Sequence, residues 1–172
     1  MGVLFDYFVA GSDEQAAVTI DWLQGPSHPS ASGPTADPYG TSGRSDDDLG
    51  DFPSGFRTVS DTGIEPVVQA ATLEGLLTGR SVDDILESLP EAPVAIRDGG
   101  ERLVLQVSGG LIDVLAQSTP ERLAEVAVLW SQTEEFWGQG DPEFLRDLLG
   151  ELAQLARHAR AEGEVVYCWV CV

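Results

Sequence analysis

Val165-Val166-Tyr167-Cys168-Trp169-Val170-Cys171-Val172 closes the chain without a single charge and is rich in β-branched and aromatic side chains. That composition favours a strand, and a run so apolar belongs inside a sheet, covered on both faces. Two amphipathic helices lead into it. The first opens at Thr119-Pro120-Glu121, a capping hydroxyl followed by proline at the first helical position, where a missing N–H costs nothing and an acid suits the helix dipole. Leu123, Val126, Ala127, Trp130, Thr133 and Trp137 recur at three- and four-residue steps, which predicts one continuous helical face through Trp137. Gly138-Gln139-Gly140 breaks it. Asp141-Pro142-Glu143 repeats the start signal, Leu145, Leu148, Leu149, Leu152, Leu155, Ala156 and Ala159 give a second stripe, and Gly163 supplies the stop.

Working outward to the N-terminus, Val3-Leu4-Phe5-Asp6-Tyr7-Phe8-Val9 reads as another strand, ended by Gly11. Ser12 with Gln15 forms a capping box, and Ala16, Ala17, Ile20 and Leu23 extend a helix stopped by Gly25-Pro26. From Gly25 to about Gly50 the chain turns to Gly, Pro, Ser, Thr and Asp, too poor in apolar area to offset its ordering entropy, so a long flexible loop is expected. Phe56-Arg57-Thr58-Val59 suggests a short strand. Val67, Ala70, Ala71, Leu73, Leu76 and Leu77 make a helix closed by Gly79, and Ser81 starts another with Ile85, Leu86 and Leu89 that ends at Pro90. Val94 to Val107 carries two apolar runs around Asp98-Gly99-Gly100, a hairpin signature, and Leu111 to Ala116 is helical again. This order lacks the strand–helix alternation of a doubly wound sheet. It points to α+β: one domain over residues 1–172, a small mixed or antiparallel sheet containing both terminal strands, and about five or six helices.

At 172 residues the chain can bury a core without disulfides or metal. Its 29 acidic residues against nine basic ones give a net charge of −20, a surface that repels nucleic-acid phosphate and anionic lipid. A charged partner should therefore be a basic protein, with nucleic acid and membrane excluded. Every basic residue is arginine and none is lysine, which fits GC-rich coding. No signal peptide is visible after Met1, and no run approaches the roughly 20 apolar residues of a membrane helix, so a cytoplasmic protein with reduced cysteines is expected.

Few residues carry chemical signatures. Cys168-Trp169-Val170-Cys171 has CxxC spacing, but in a strand residues three apart face opposite ways, and the histidines are His28 in the loop and His158 on a distant helix. Redox or zinc chemistry needs the first sulfur at a helix N-terminus or a second ligand pair, so both cysteines read as packing. Asp61-Thr62-Gly63 reads as a turn and helix cap. Ser108-Gly109-Gly110 could receive a phosphate at a helix N-terminus. No motif for a cofactor is present and none is expected. The densest mixture of aromatic and polar groups is Trp130-Ser131-Gln132-Thr133-Glu134-Glu135-Phe136-Trp137. On a continuous helix Trp130, Thr133, Glu134 and Trp137 would share a face, and a carboxylate between two indoles would have the raised pKa of a general acid. The competing reading makes the tryptophans core or interface anchors.

The opening Met1-Gly2-Val3-Leu4-Phe5-Asp6-Tyr7-Phe8, the helix end Leu73-Glu74-Gly75-Leu76-Leu77-Thr78-Gly79, and the closing helix with Glu162-Gly163 and the terminal strand together resemble an uncharacterised actinobacterial protein family. That family is similar in turn to the YfbM-like domains, small bacterial α+β proteins of unassigned biochemistry. The resemblance covers most of the chain outside residues 25–50; it implies a fold and supplies no catalytic residue. Two functions follow as expectations. One is a non-enzymatic acidic interaction module of the immunity or inhibitor type, meeting a basic partner through the loop at residues 25–50 and the face of Trp130, Thr133, Glu134 and Trp137. The other is a small hydrolase or ligand-binding domain with a carboxylate site around Glu134 and Glu135.

Overall fold

The computed structural model describes residues 2–22, 25–27, 56–60 and 62–172. Near-continuous apolar runs at the two ends of the sequence form the centre of the sheet. Strand β1 (Leu4–Ala10) pairs antiparallel with β5 (Val165–Cys171) over seven residue pairs, from Leu4 opposite Cys171 to Ala10 opposite Val165. On the far side of β5 runs β4 (Arg102–Gln106), with Val104 opposite Trp169, followed by the edge strand β3 (Ala95–Arg97). The short β2 (Thr58–Val59) borders β1, so the antiparallel order is β2-β1-β5-β4-β3. The terminal strand is thus an inner one. Its consecutive residues Cys168 and Trp169 point to opposite faces and are both 0 % exposed, which a sheet bare on one side could not provide.

Among the described residues six α-helices accompany the sheet: α1 (Asp13–Val18), α2 (Val68–Thr78), α3 (Val82–Glu87), α4 (Gly109–Gln117), α5 (Pro120–Ser131) and α6 (Pro142–Glu162). Tyr7, Val9, Val166, Cys168 and Val170 on one sheet face join Leu73, Leu111, Leu115, Leu123, Val126, Trp130 and the leucine stripe of α6 in the main core. The opposite face, with Phe8, Ala10, Val104, Tyr167 and Trp169, packs on Ala16 of α1 and Ile20 just beyond it. The fold is α+β, as the order of elements implies.

The end signals act as expected at several helices. Asp141 Oδ1 accepts hydrogen bonds from the N–H groups of Glu143 and Phe144, and Gly163 closes α6 at φ 69°. Ser12 accepts from Gln15 N, while Gln15 Oε1 accepts from Gly11 N at 3.0 Å. Two helices stop earlier than their apolar spacing predicts. After Val18, Thr19 donates its hydroxyl to Ala16 O at 2.7 Å and the chain tightens into one 3₁₀ turn, Thr19–Asp21. After Ser131, the hydroxyls of Ser131 and Thr133 bond back to Val128 O and Trp130 O, each at 2.7 Å. Such back-bonding competes with helix propagation, and spacing alone cannot reveal it. The loop read over residues 25–50 lies outside the described residues apart from Gly25, Pro26 and Ser27. Among the described residues no helix is long and apolar enough to cross a membrane.

Candidate functional site

The turn between α5 and α6 holds the residues singled out in the sequence, in an arrangement different from a shared helical face. Because α5 ends at Ser131, Trp130 and Trp137 are separated: Trp130 is 0 % exposed and Trp137 is 88 % exposed. A 3₁₀ turn, Glu134–Phe136, lies between them. Phe136 folds inward and meets Trp130 edge to face, with ring centroids 5.2 Å apart and planes at 87°. Thr133 is half-buried, and its carbonyl accepts from the N–H groups of Phe136 at 3.2 Å and Gly138 at 3.0 Å. Glu134 is exposed. Trp130 therefore belongs to the core, whereas Glu134 and Trp137 belong to the surface.

Trp137 is displayed by a firm scaffold. Its N–H donates to Glu134 O at 2.9 Å, the next two residues donate to Thr133 O and Phe136 O, and Gly140 N donates to Ser131 O at 3.0 Å. A Cβ at Gly140 would sit 2.9 Å from Ser131 Cα, so only glycine lets the turn close on the end of α5. Trp137 itself occupies the left-handed region at φ 49°, a conformation that costs a bulky residue free energy with no packing in return. Val128, Leu129 and Phe144, at the same end of the α5–α6 pair, are also exposed. Sequence reasoning missed these three. The available signal was that Val128 and Leu129 fall between the stripe positions Ala127 and Trp130, and that Phe144 precedes the leucine stripe.

The carboxylates here do not form the general-acid arrangement. Glu135 accepts a 2.5 Å hydrogen bond from Thr72 Oγ1, tying the turn to α2. Partial burial alone would raise its pKa, but the hydroxyls of Thr72 and Thr133 and its own backbone N–H together hold the carboxyl below its ordinary value. It stays ionised. Glu134 is exposed and is not enclosed between indoles, since one indole lies inside the core and the other stands in solvent.

The remaining signatures resolve into structure. Cys168 lies in the main core and Cys171 packs at the opposite sheet face; both are free thiols. Burial first, then the charges of Asp6 and Glu65, push the Cys168 thiol well above its usual range. Thr62 donates to Phe5 O and accepts from Ile64 N, a local turn, while Asp61 and His28 lie outside the described residues. His158 faces Glu164 at 3.5 Å near the end of α6. The Ser108-Gly109-Gly110 terminus of α4 already holds an anion belonging to the chain. Glu74, 0 % exposed, accepts from Ser108 Oγ at 2.6 Å and pairs with Arg80 Nη1 at 3.0 Å, and a side chain at Gly110 would run into its Oε1. The place anticipated for a phosphate is filled. Here too a signal existed: Glu74 falls on the inward face of α2, between Ala70 and Leu77.

Comparison with known proteins found no match among family models, curated proteins or solved structures. Between Arg122 and Arg146 the chain carries Glu125, Glu134, Glu135, Asp141 and Glu143 and no basic residue. The end of the molecule that presents Trp137 carries exposed apolar side chains beside the exposed carboxylates of Glu134 and Glu143.

Proposed function

We propose that the protein is a cytoplasmic, non-enzymatic interaction module that binds a basic protein partner through the α5–α6 turn, with inhibition of a basic toxin or nuclease, as by an immunity protein, as its concrete form. One observation carries the reading: Trp137 is 88 % exposed in a left-handed conformation, held in place by backbone hydrogen bonds and ringed in sequence by acids. A large aromatic kept out of the core at a conformational cost serves recognition better than folding, since tryptophan is the residue most enriched among binding hot spots. The charge supports it. Arg80, Arg97, Arg102, Arg122, Arg146 and Arg160 are paired with carboxylates of the same chain, leaving the acidic excess to face the partner. Such a field raises association rate and selects partners by sign. Kinship with the YfbM-like domains belongs to the same proposal and brings no catalytic residue.

The test uses the full chain as bait in native lysate at about 50 mM and about 500 mM salt, wild type beside W137A and an E134Q/E143Q double variant. The expected result is a basic protein retained at low salt, released at high salt, and depleted on both variant baits. Retention of the same proteins by W137A would overturn the assignment of the site.

A further inference from the structure

We infer that the group Trp137 receives is an arginine side chain of the partner, its guanidinium laid on the indole face. This rests on the reading of the α5–α6 turn as the contact site and names the chemistry that the site selects. Tryptophan is the strongest cation–π acceptor among the side chains. At 88 % exposure the ring is open, and among the described residues no wall encloses it to strip water from a ligand. An ammonium, compact and strongly hydrated, gains little on such an open ring, whereas a guanidinium is planar, weakly hydrated along its faces and able to stack. Stacking leaves the in-plane N–H donors of the guanidinium free for carboxylates. Acceptors are supplied by the same turn. Glu134 lies one 3₁₀ turn before Trp137 and is exposed, Glu143 is exposed in the first turn of α6, and Glu135 is held ionised by its hydroxyl donors. The left-handed backbone at Trp137, held by the hydrogen bonds of the turn, carries the residue away from the core before any partner arrives.

The experiment titrates the 172-residue chain, ¹⁵N-labelled, with decaarginine and with decalysine, peptides of equal charge, at about 50 mM salt. Four tryptophan indole signals are available, and the one lost in W137L identifies Trp137. The expected result is that decaarginine shifts the Trp137 indole signal and binds more tightly than decalysine. The ratio of the two Kd values should then fall by about two- to fivefold in W137L, the size of an exposed cation–π contact. W137F, which keeps a weaker ring, should give an intermediate ratio. A ratio unchanged by W137L would overturn the arginine assignment while leaving a basic partner in place. Binding of neither peptide would overturn both. Thermal melts of each variant show whether it is folded before it is titrated.

Discussion

Trp130 and Trp137 lie at helical spacing in the sequence, yet one anchors the core and the other stands in solvent. The difference is set by two hydroxyls that bond backward and end α5 at Ser131, so the 3.6-residue period that places Trp130 correctly stops holding one turn too soon for Trp137. Trp130 was legible for that reason and Trp137 was not. For Trp130 the consequence is a large stability term. W130A should cost about 3–5 kcal/mol in urea unfolding. W130F should cost clearly less, because its buried indole N–H has no hydrogen-bond partner among the described residues and phenylalanine removes that unsatisfied donor. Equal losses for the two variants would place the energy of Trp130 outside simple packing.

At the scale of elements, two junctions decide the architecture. The first joins α2 to the N-terminus of α4 through Glu74, with Ser108 and Arg80 as donors and Gly110 in close approach. E74A leaves the first turn of α4 and the Arg80 guanidinium without their anion and should cost about 2–3 kcal/mol. G110A should also destabilise by pushing on the carboxylate. Made together, the two changes should cost less than their sum, since the clash disappears with its partner; strict additivity in urea melts would refute the contact. The second junction is β5 between β1 and β4. Its apolarity announced an inner strand, but which strands would flank it was not legible, because strand order depends on contacts between distant segments. Its burial has a consequence at high pH. Desolvation, with nearby negative charge, raises the Cys168 thiol and the Tyr7 phenol far above their ordinary 9.0 and 10.0, and partial burial with Asp13 raises Tyr167. Groups raised on folding stabilise below their unfolded pKa and lose that contribution above it. Urea midpoints should hold to about pH 8 and then fall, by up to about 1.4 kcal/mol per pH unit for each buried group titrating. C168A should move the onset upward, toward the tyrosine range; an onset unchanged in C168A would contradict the assignment.

For the whole molecule, composition and element order made the α+β class readable, because largely apolar strands at both termini and amphipathic helices between them admit few arrangements. The proposed interaction face was readable only as a cluster of residues. Its shape required knowing where α5 stops, and the internal use of Glu74 as the anion of α4 required a tertiary contact. A net charge of −20 repels itself across the fold. The exposed ion pairs return little, so raising NaCl from about 20 mM to about 500 mM should raise the thermal midpoint through screening; a fall would show that the pairs outweigh the repulsion. In the proposed function Trp137 is held in the open for a partner, at the expense of the fold. The urea midpoint of W137G beside wild type tests it most directly. Glycine accepts a φ of 49° and removes no buried contact, so it relieves a left-handed cost of about 1–2 kcal/mol against about 0.5–1 kcal/mol of added unfolded-state entropy, and the midpoint should rise, by up to about 1 kcal/mol in stability. A loss of 2 kcal/mol or more, on the scale of about 3–5 kcal/mol for a buried tryptophan, would show that Trp137 is part of the packed structure and not its exposed anchor.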